Sequence, residues 1–202
     1  RPLVDLAVSL GFEADTATLS QLASSSLCAI AYASGWTFTA GLLLIVSGTL
    51  DVVDGEIARL RGHAGPRGAF MDSVVDRYAE ALVFAGLIAL YRNSWVFWLA
   101  TAGWAGAFVV SYARARAESL GISCSEGWLQ RPERYVILGG TSMIGTMMSH
   151  LTCNVGVEPP LLTVGIGSVA ILANVTALQR ILTTIELPRE LTGEHVVESC
   201  AG

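Results

Sequence analysis

From Thr16 to Leu50 the chain carries no charged side chain, and from Ala81 to Tyr91 again none. Between these stretches lies "DVVDGEIARLRGHAGPRGAFMDSVVDR", Asp51 to Arg77, with four aspartates, four arginines and Glu56. No other feature limits the fold as much. Apolar runs of this length suit a lipid environment, where every backbone polar group must be satisfied within a helix or a closed barrel. The charge then needs its own explanation, because ionisable groups within membrane spans are costly and by default mark function.

Composition agrees with a membrane setting. Hydrophobic residues make up 52% and charged residues 14% of the 202, and mean hydropathy is +0.56. A soluble domain usually carries about 25% charged residues. The length allows one compact domain. A net charge of −5 and a pI near 5.1 argue against a nucleic-acid partner. All 12 basic residues are arginine. Arginine offers phosphate a planar fork and stays charged near lipid; a genomic composition bias would explain the missing lysine equally well. Cys28, Cys124, Cys153 and Cys200 fit no metal or redox spacing and are expected to be unpaired thiols. The chain starts at Arg1 with polar residues soon after, so no cleavable leader is expected.

The expected fold is all-α, a polytopic membrane protein with six transmembrane helices. A span needs about 20 mostly apolar residues. Thr16–Leu50 is too long for one, and "ASGW" (Ala33–Trp36) breaks it into helices near 16–33 and 36–60. A third is expected over about 68–91. A fourth covers "WVFWLATAGWAGAFVVSYA" and continues to about 119. A fifth covers "YVILGGTSMIGTMMSHLTCNVGV", and a sixth, after Pro159-Pro160, "LLTVGIGSVAILANVTALQ". Residues 1–13 read as an interfacial segment with weak amphipathicity, 14–186 as the six-helix domain, and 187–202 as a polar tail. Small residues in "GGTSMIG" suit close packing on another helix, within the subunit or across a homodimer.

Six spans sort the loops onto two sides. One side receives Arg59, Arg61, Arg67, Arg77, Arg114, Arg116, Arg131, Arg134, Arg180 and Arg189; the other receives only Arg92. Positive residues mark the cytoplasmic face. A multi-pass protein of the cell's inner membrane is therefore expected, with the aspartate stretch and both termini on the cytoplasmic side. Some of these arginines serve chemistry rather than orientation in a rival account.

Asp51, Asp54, Gly55, Ala58 and Arg59 fall at offsets 0, 3, 4, 7 and 8, one face of an α-helix. Gly68, Asp72 and Asp76 repeat every four residues, again on one face. Two helices joined by a short turn can bring these four carboxylates together. Their mutual repulsion calls for a divalent cation, and hard oxygen donors suit Mg²⁺, Ca²⁺ or Mn²⁺. Two such ions spanned by carboxylates form a site for phosphoryl transfer. Gly55, Ala58 and Gly68 lack bulk and would admit a flat or phosphate-bearing substrate, and Arg59 could neutralise a phosphate. The bland alternative is interfacial charge paired with nearby arginines. Glu80, four residues beyond Asp76, is expected to pair with Arg77 or with a polar group of another helix, in preference to supporting Asp76.

Written out, Asp51-x2-Asp54-Gly55-x2-Ala58-Arg59-x8-Gly68-x3-Asp72-x3-Asp76 resembles the full signature of the CDP-alcohol phosphotransferase family, across residues 14–185. The resemblance implies a membrane enzyme that transfers the phosphoryl-linked group of a CDP-linked donor to an alcohol and releases CMP. It implies two divalent ions, Mg²⁺ or Mn²⁺, held by Asp51, Asp54, Asp72 and Asp76. It implies that Asp76 also takes the acceptor's proton, and that Gly55, Ala58, Arg59 and Gly68 hold the CDP portion.

A second polar cluster concerns the acceptor. Ser111 and Arg114 share a face, as do Arg131 and Arg134, and Arg180 closes the sixth helix on the same side. Several arginines around one cavity make a receptor for a dianionic phosphate, so a phosphorylated alcohol is expected; anchoring to anionic lipid heads is the alternative. These stretches are similar to the phosphatidylinositol-phosphate synthase branch, which joins inositol 1-phosphate to CDP-diacylglycerol for phospholipid biosynthesis. That similarity implies acceptor-phosphate contacts from Ser111, Arg114, Arg131, Arg134 and Arg180. The branch often has Lys where this chain has Arg114, which keeps the charge and changes the geometry. "DGEIARL" and "DRYAE" also resemble enzymes that join CDP-inositol to inositol phosphate. Glycerol phosphate as acceptor, a cation transporter and a module that only binds CDP-lipid complete the alternatives.

Overall fold

The structure, a computed structural model, describes residues 14–60, 65–122, 131–151 and 159–186. Side chains within helices are described except those of residues 14–18, 50–60 and 66. The expected interfacial segment over 1–13 and the tail over 187–202 lie outside the described residues.

Six helices follow one another: α1 (Ala14–Ala33), α2 (Thr37–Leu60), α3 (Pro66–Leu90), α4 (Val96–Ser119), α5 (Arg131–Leu151) and α6 (Pro160–Glu186). No strand occurs among the described residues. At 1.5 Å per residue, helices of 20 to 27 residues run about 30–40 Å, the thickness of a bilayer core or more. Local chemistry sets their ends. After α1, Gly35 takes φ +80°, its N–H donates to Tyr32 O, and Trp36 N–H reaches back to Ala31 O at 2.8 Å. A β-carbon would be strained in that left-handed turn, which is why glycine stands there. Gly121 (φ +76°) ends α4 in the same way, with Ile122 N–H on Ala117 O. Pro66 and Pro160 each open a helix, where a missing N–H costs nothing.

The extensive helix pairings close into a ring in the order α1–α2–α5–α6–α4–α3. The two helices that carry the aspartates, α2 and α3, are not among these pairings; α1 lies between them and packs on both. Small residues let the helices approach. A β-carbon on Gly86 would sit 2.6 Å from the Ala29 Cα, and one on Gly41 would sit 2.7 Å from the Gly139 O. Gly139 therefore packs inside the subunit, against Gly41 and Ile45, and Gly145 packs against Pro159 and Leu161. Gly140 faces open space.

Tyr32, Leu44, Phe84, Leu87, Leu138, Leu162 and Ile166 form the buried core. Hydroxyls tie the helices together within it. Tyr32 Oη and Ser142 Oγ lie 2.7 Å apart, Thr37 and Thr146 hydroxyls 2.7 Å, and Ser25 and Ser47 hydroxyls 3.0 Å. Cys28 is a buried free thiol, as expected; the other three cysteines lie outside the described residues. The outer surface is apolar, with Leu27, Trp98, Ile171 and Ile185 more than half exposed. An apolar exterior of this extent marks a lipid-facing surface. Among the described residues, α4 and α6 are long and apolar enough to cross a membrane by themselves, at mean hydropathies of 1.4 and 2.0. Within α2 the described side chains include an apolar run, Thr37–Thr49; Asp76, Arg77 and Glu80 interrupt α3, and hydroxyls and glycines dilute α5.

Candidate active site

On α3 a column of Gly68, Asp72, Asp76 and Glu80 runs at intervals of four, one residue per helical turn. Gly68 and Asp72 are exposed, Asp76 is half-buried, and Glu80 is buried. Burial thus deepens along the column toward the core. The facing column belongs to α5, where Arg131 opens the helix and Arg134 follows one turn later.

These columns meet as two charged rungs across the ring, between helices that are not neighbours in it. Arg131 forms an ion pair with Asp76 Oδ1. One turn deeper, Arg134 Nε and Nη2 both reach Glu80 Oε1, at 2.8 and 2.6 Å. Burial strengthens such charge-assisted bonds and makes loss of either partner expensive. Glu80 therefore takes its partner from another helix, the second of the two partners expected for it, and that partner is Arg134.

Three further groups shape the upper rung. Gln21 Nε2 of α1, wholly buried, donates to Asp76 Oδ1 at 3.1 Å. Arg77 Nη2 lies 3.7 Å from Asp76 Oδ2. Arg131 Nη2 donates to Tyr135 Oη at 3.2 Å, and its guanidinium stands 5.2 Å from the Tyr135 ring centroid. The last contact is within cation–π range.

The remaining acceptor candidates stand nearer α4 and α6. Arg180 is buried on α6, and its Nη1 donates to Val110 O of α4 at 2.9 Å, beside half-buried Ser111. Arg114 is exposed and pairs with Glu118 of its own helix at 2.8 Å. So Arg131 stands against the Asp76 carboxylate and Arg134 one turn beneath it. Arg180 lies beside Ser111, and Arg114 points along its own helix. Asp51, Asp54, Gly55, Ala58 and Arg59 occupy the last turns of α2, and their side chains lie outside the described residues.

Among the described residues no group of three potential metal ligands gathers. Asp72 and Asp76, one turn apart, supply hard oxygen donors of the kind a divalent cation takes. Asp76 already holds a cationic partner in the Arg131 guanidinium, so its Oδ1 is an oxygen that attracts positive charge. The residues present fit such an ion.

Sequence reasoning missed Gln21. Its signal was an uncharged amide in an otherwise apolar and hydroxyl-rich helix, a group that costs energy unless bonded. It also missed that Arg134 answers Glu80, since spacing gives faces but not which faces meet.

Residues 13–185 match the family described as CDP-alcohol phosphatidyltransferase. The chain is 32% identical over 193 residues to the phosphatidylinositol phosphate synthase of Mycobacteroides abscessus, covering 89% of this chain and 80% of that protein. It is 35% identical over 139 residues to the archaetidylinositol phosphate synthase of Methanothermobacter thermautotrophicus, covering 69% and 70%. The crystal structure of Mycobacterium tuberculosis phosphatidylinositol phosphate synthase with CDP-DAG bound superposes at a TM-score of 0.76, with 25% identity and 92% of each chain covered. The same protein's complex with manganese and citrate gives 0.77, covering 92% of this chain and 88% of that one.

Proposed function

Because the chain belongs to the CDP-alcohol phosphatidyltransferase family, we propose that it moves the phosphatidyl group of CDP-diacylglycerol to inositol 1-phosphate and releases CMP, in phospholipid synthesis. It is a transferase and a membrane protein by that membership. The observation that carries the acceptor assignment is Arg131, a phosphate-recognising cation set directly against the Asp76 carboxylate. The likeness to phosphatidylinositol phosphate synthases supports it.

Asp51, Asp54, Asp72 and Asp76 would hold two divalent ions, Mg²⁺ or Mn²⁺; the manganese complex of the mycobacterial protein supports this use. Bound there, the ions supply charge neutralisation on the attacking and leaving oxygens. Asp76 takes the proton of the acceptor hydroxyl. The hydroxyl oxygen bonds to the phosphorus that carries the diacylglycerol, and the bond from that phosphorus to the bridging oxygen breaks. CMP leaves with that oxygen. Gly55, Ala58, Arg59 and Gly68 hold the CDP portion. Arg131, Arg180 and Ser111 receive the acceptor phosphate, Arg114 joins them by leaving Glu118, and Arg134 supports Arg131 from the buried rung. All six helices cross the inner membrane, with this end at the cytoplasmic face and the small residues of α5 turned inward or, at Gly140, toward a second copy.

A second reading keeps the acceptor and changes the lipid. The 35% identity to an archaetidylinositol phosphate synthase favours it. One assay separates these readings: CMP release in detergent with Mg²⁺, offering CDP-diacylglycerol or CDP-archaeol with inositol 1-phosphate, glycerol 3-phosphate, free inositol or serine. Release confined to inositol 1-phosphate is expected, and chelation by EDTA is expected to stop it. Release with glycerol 3-phosphate alone would overturn the acceptor assignment.

A further inference from the structure

Asp76 is gripped at one oxygen from two helices. Arg131 of α5 pairs with Oδ1, and Gln21 of α1 donates to the same atom at 3.1 Å. The two partners differ in what can draw them away. Arg131 opens its helix, keeps 10% of its side chain exposed and carries a charge that an arriving phosphate attracts. Gln21 is fully buried and neutral, so a phosphate exerts little pull on it.

The backbone beneath Gln21 is held as well. One turn further along α1, Ser24 Oγ donates to Leu43 O of α2 at 3.2 Å, and Ser25 meets Ser47 at 3.0 Å. Gln21 thus stands on a helix bound to α2, which carries Asp51 and Asp54, and reaches across to α3, which carries Asp72 and Asp76. Hydrogen bonds from α1 thus reach both helices of the aspartate constellation, α3 through Gln21 and α2 through Ser24 and Ser25.

Resting on the reading that Asp76 takes the acceptor's proton and Arg131 meets its phosphate, we propose that Gln21 is a positioning residue for the transfer. It holds Asp76 Oδ1 when Arg131 turns to the phosphate, so the carboxylate keeps its orientation and Oδ2 is left for the proton. Groups that orient a metal-binding or catalytic side chain in this way typically cost about 10- to 100-fold when removed.

The test compares Gln21→Met, of similar length with no donor, and Gln21→Asn, whose amide stops one methylene short. Both are purified in detergent beside wild type and Asp76→Asn. CMP release gives kcat and the KM for each substrate, electron paramagnetic resonance of titrated Mn²⁺ gives metal affinity without turnover, and thermal unfolding reports the fold. The expected result is a fall in kcat of about 10- to 100-fold and a weaker Mn²⁺ affinity, with the CDP-lipid KM within about twofold. Wild-type kcat and Mn²⁺ affinity in Gln21→Met overturn the proposal, and so does a lower unfolding temperature with both values unchanged. If Gln21→Met does not fold, Gln21→Asn decides by the same criteria. Full turnover in Asp76→Asn would instead overturn the underlying reading, whatever the Gln21 variants do.

Discussion

The two rungs between α3 and α5 have the same chemistry, one carboxylate and one guanidinium each, and stand one helical turn apart. Their surroundings differ. Asp76 and Arg131 keep 15% and 10% of their side chains exposed, while Glu80 and Arg134 keep 4% and 2%. A pair that keeps some contact with solvent can trade partners at less desolvation cost than a sealed one. A pair sealed in the core cannot, because each charge left alone there carries a penalty of several kcal/mol. On the proposed reading, the same residue types serve exchange in one place and fixation in the next, and burial decides which.

Breaking the upper rung at its acid should have the largest effect. Asp76→Asn keeps the shape and removes the proton acceptor. Its CMP release should fall by about 10²- to 10⁴-fold, the usual worth of a general base, with unfolding temperature near that of wild type. A similar fall in unfolding temperature for Asp76→Asn and Glu80→Gln would erase the distinction between the rungs.

Breaking the lower rung should register as stability. Glu80→Gln strands the Arg134 charge in the core and should cost about 3–5 kcal/mol, read by denaturant unfolding in detergent. The double variant Glu80→Leu/Arg134→Met should recover most of that loss, because an apolar pair leaves no charge unpaired. If the double variant is no better than the single, the lower rung has a role beyond holding the fold.

Arg131→Met sharpens the comparison from the other helix. It should raise the KM for inositol 1-phosphate by about 10- to 100-fold, the worth of a charged hydrogen bond, and destabilise the protein less than Glu80→Gln does. Smallest of all is the exposed pair on α4. Arg114→Gln loses the contact with Glu118 and should change stability by less than about 0.5 kcal/mol. Any effect of that variant on acceptor KM therefore reports phosphate binding alone.

Helix boundaries were legible because punctuation residues announce them. Gly35, Pro66 and Pro160 end or begin helices where "ASGW", "GP" and "PP" stand in the sequence. The aspartate column of α3 was legible from its interval of four. The ring order was not, since a column of side chains shows a helix face without naming its partner. Arg134 illustrates this: from spacing it belongs with Arg131 as a phosphate ligand, yet the core sets it on Glu80. Hydropathy misleads in a related way. α1 and α5 are rich in serine and threonine, which lowers their apparent fitness for lipid, but several of those hydroxyls meet a hydroxyl of another helix, as Ser25 meets Ser47 and Ser142 meets Tyr32.

The ring also imposes an order of assembly on the growing chain. α3 leaves the ribosome complete, with Asp76 and Glu80 in place, before the first residue of α5 has been added. Until residue 134 emerges, Glu80 lacks its Arg134 partner, and α2 lacks the α5 helix that packs against it. α2 and α3 can gather on α1, but the three form an open arc in which Glu80 lacks Arg134 and Asp76 lacks Arg131. Completion of α5 gives Glu80 its partner, and α6, which packs on both α5 and α4, then closes the ring.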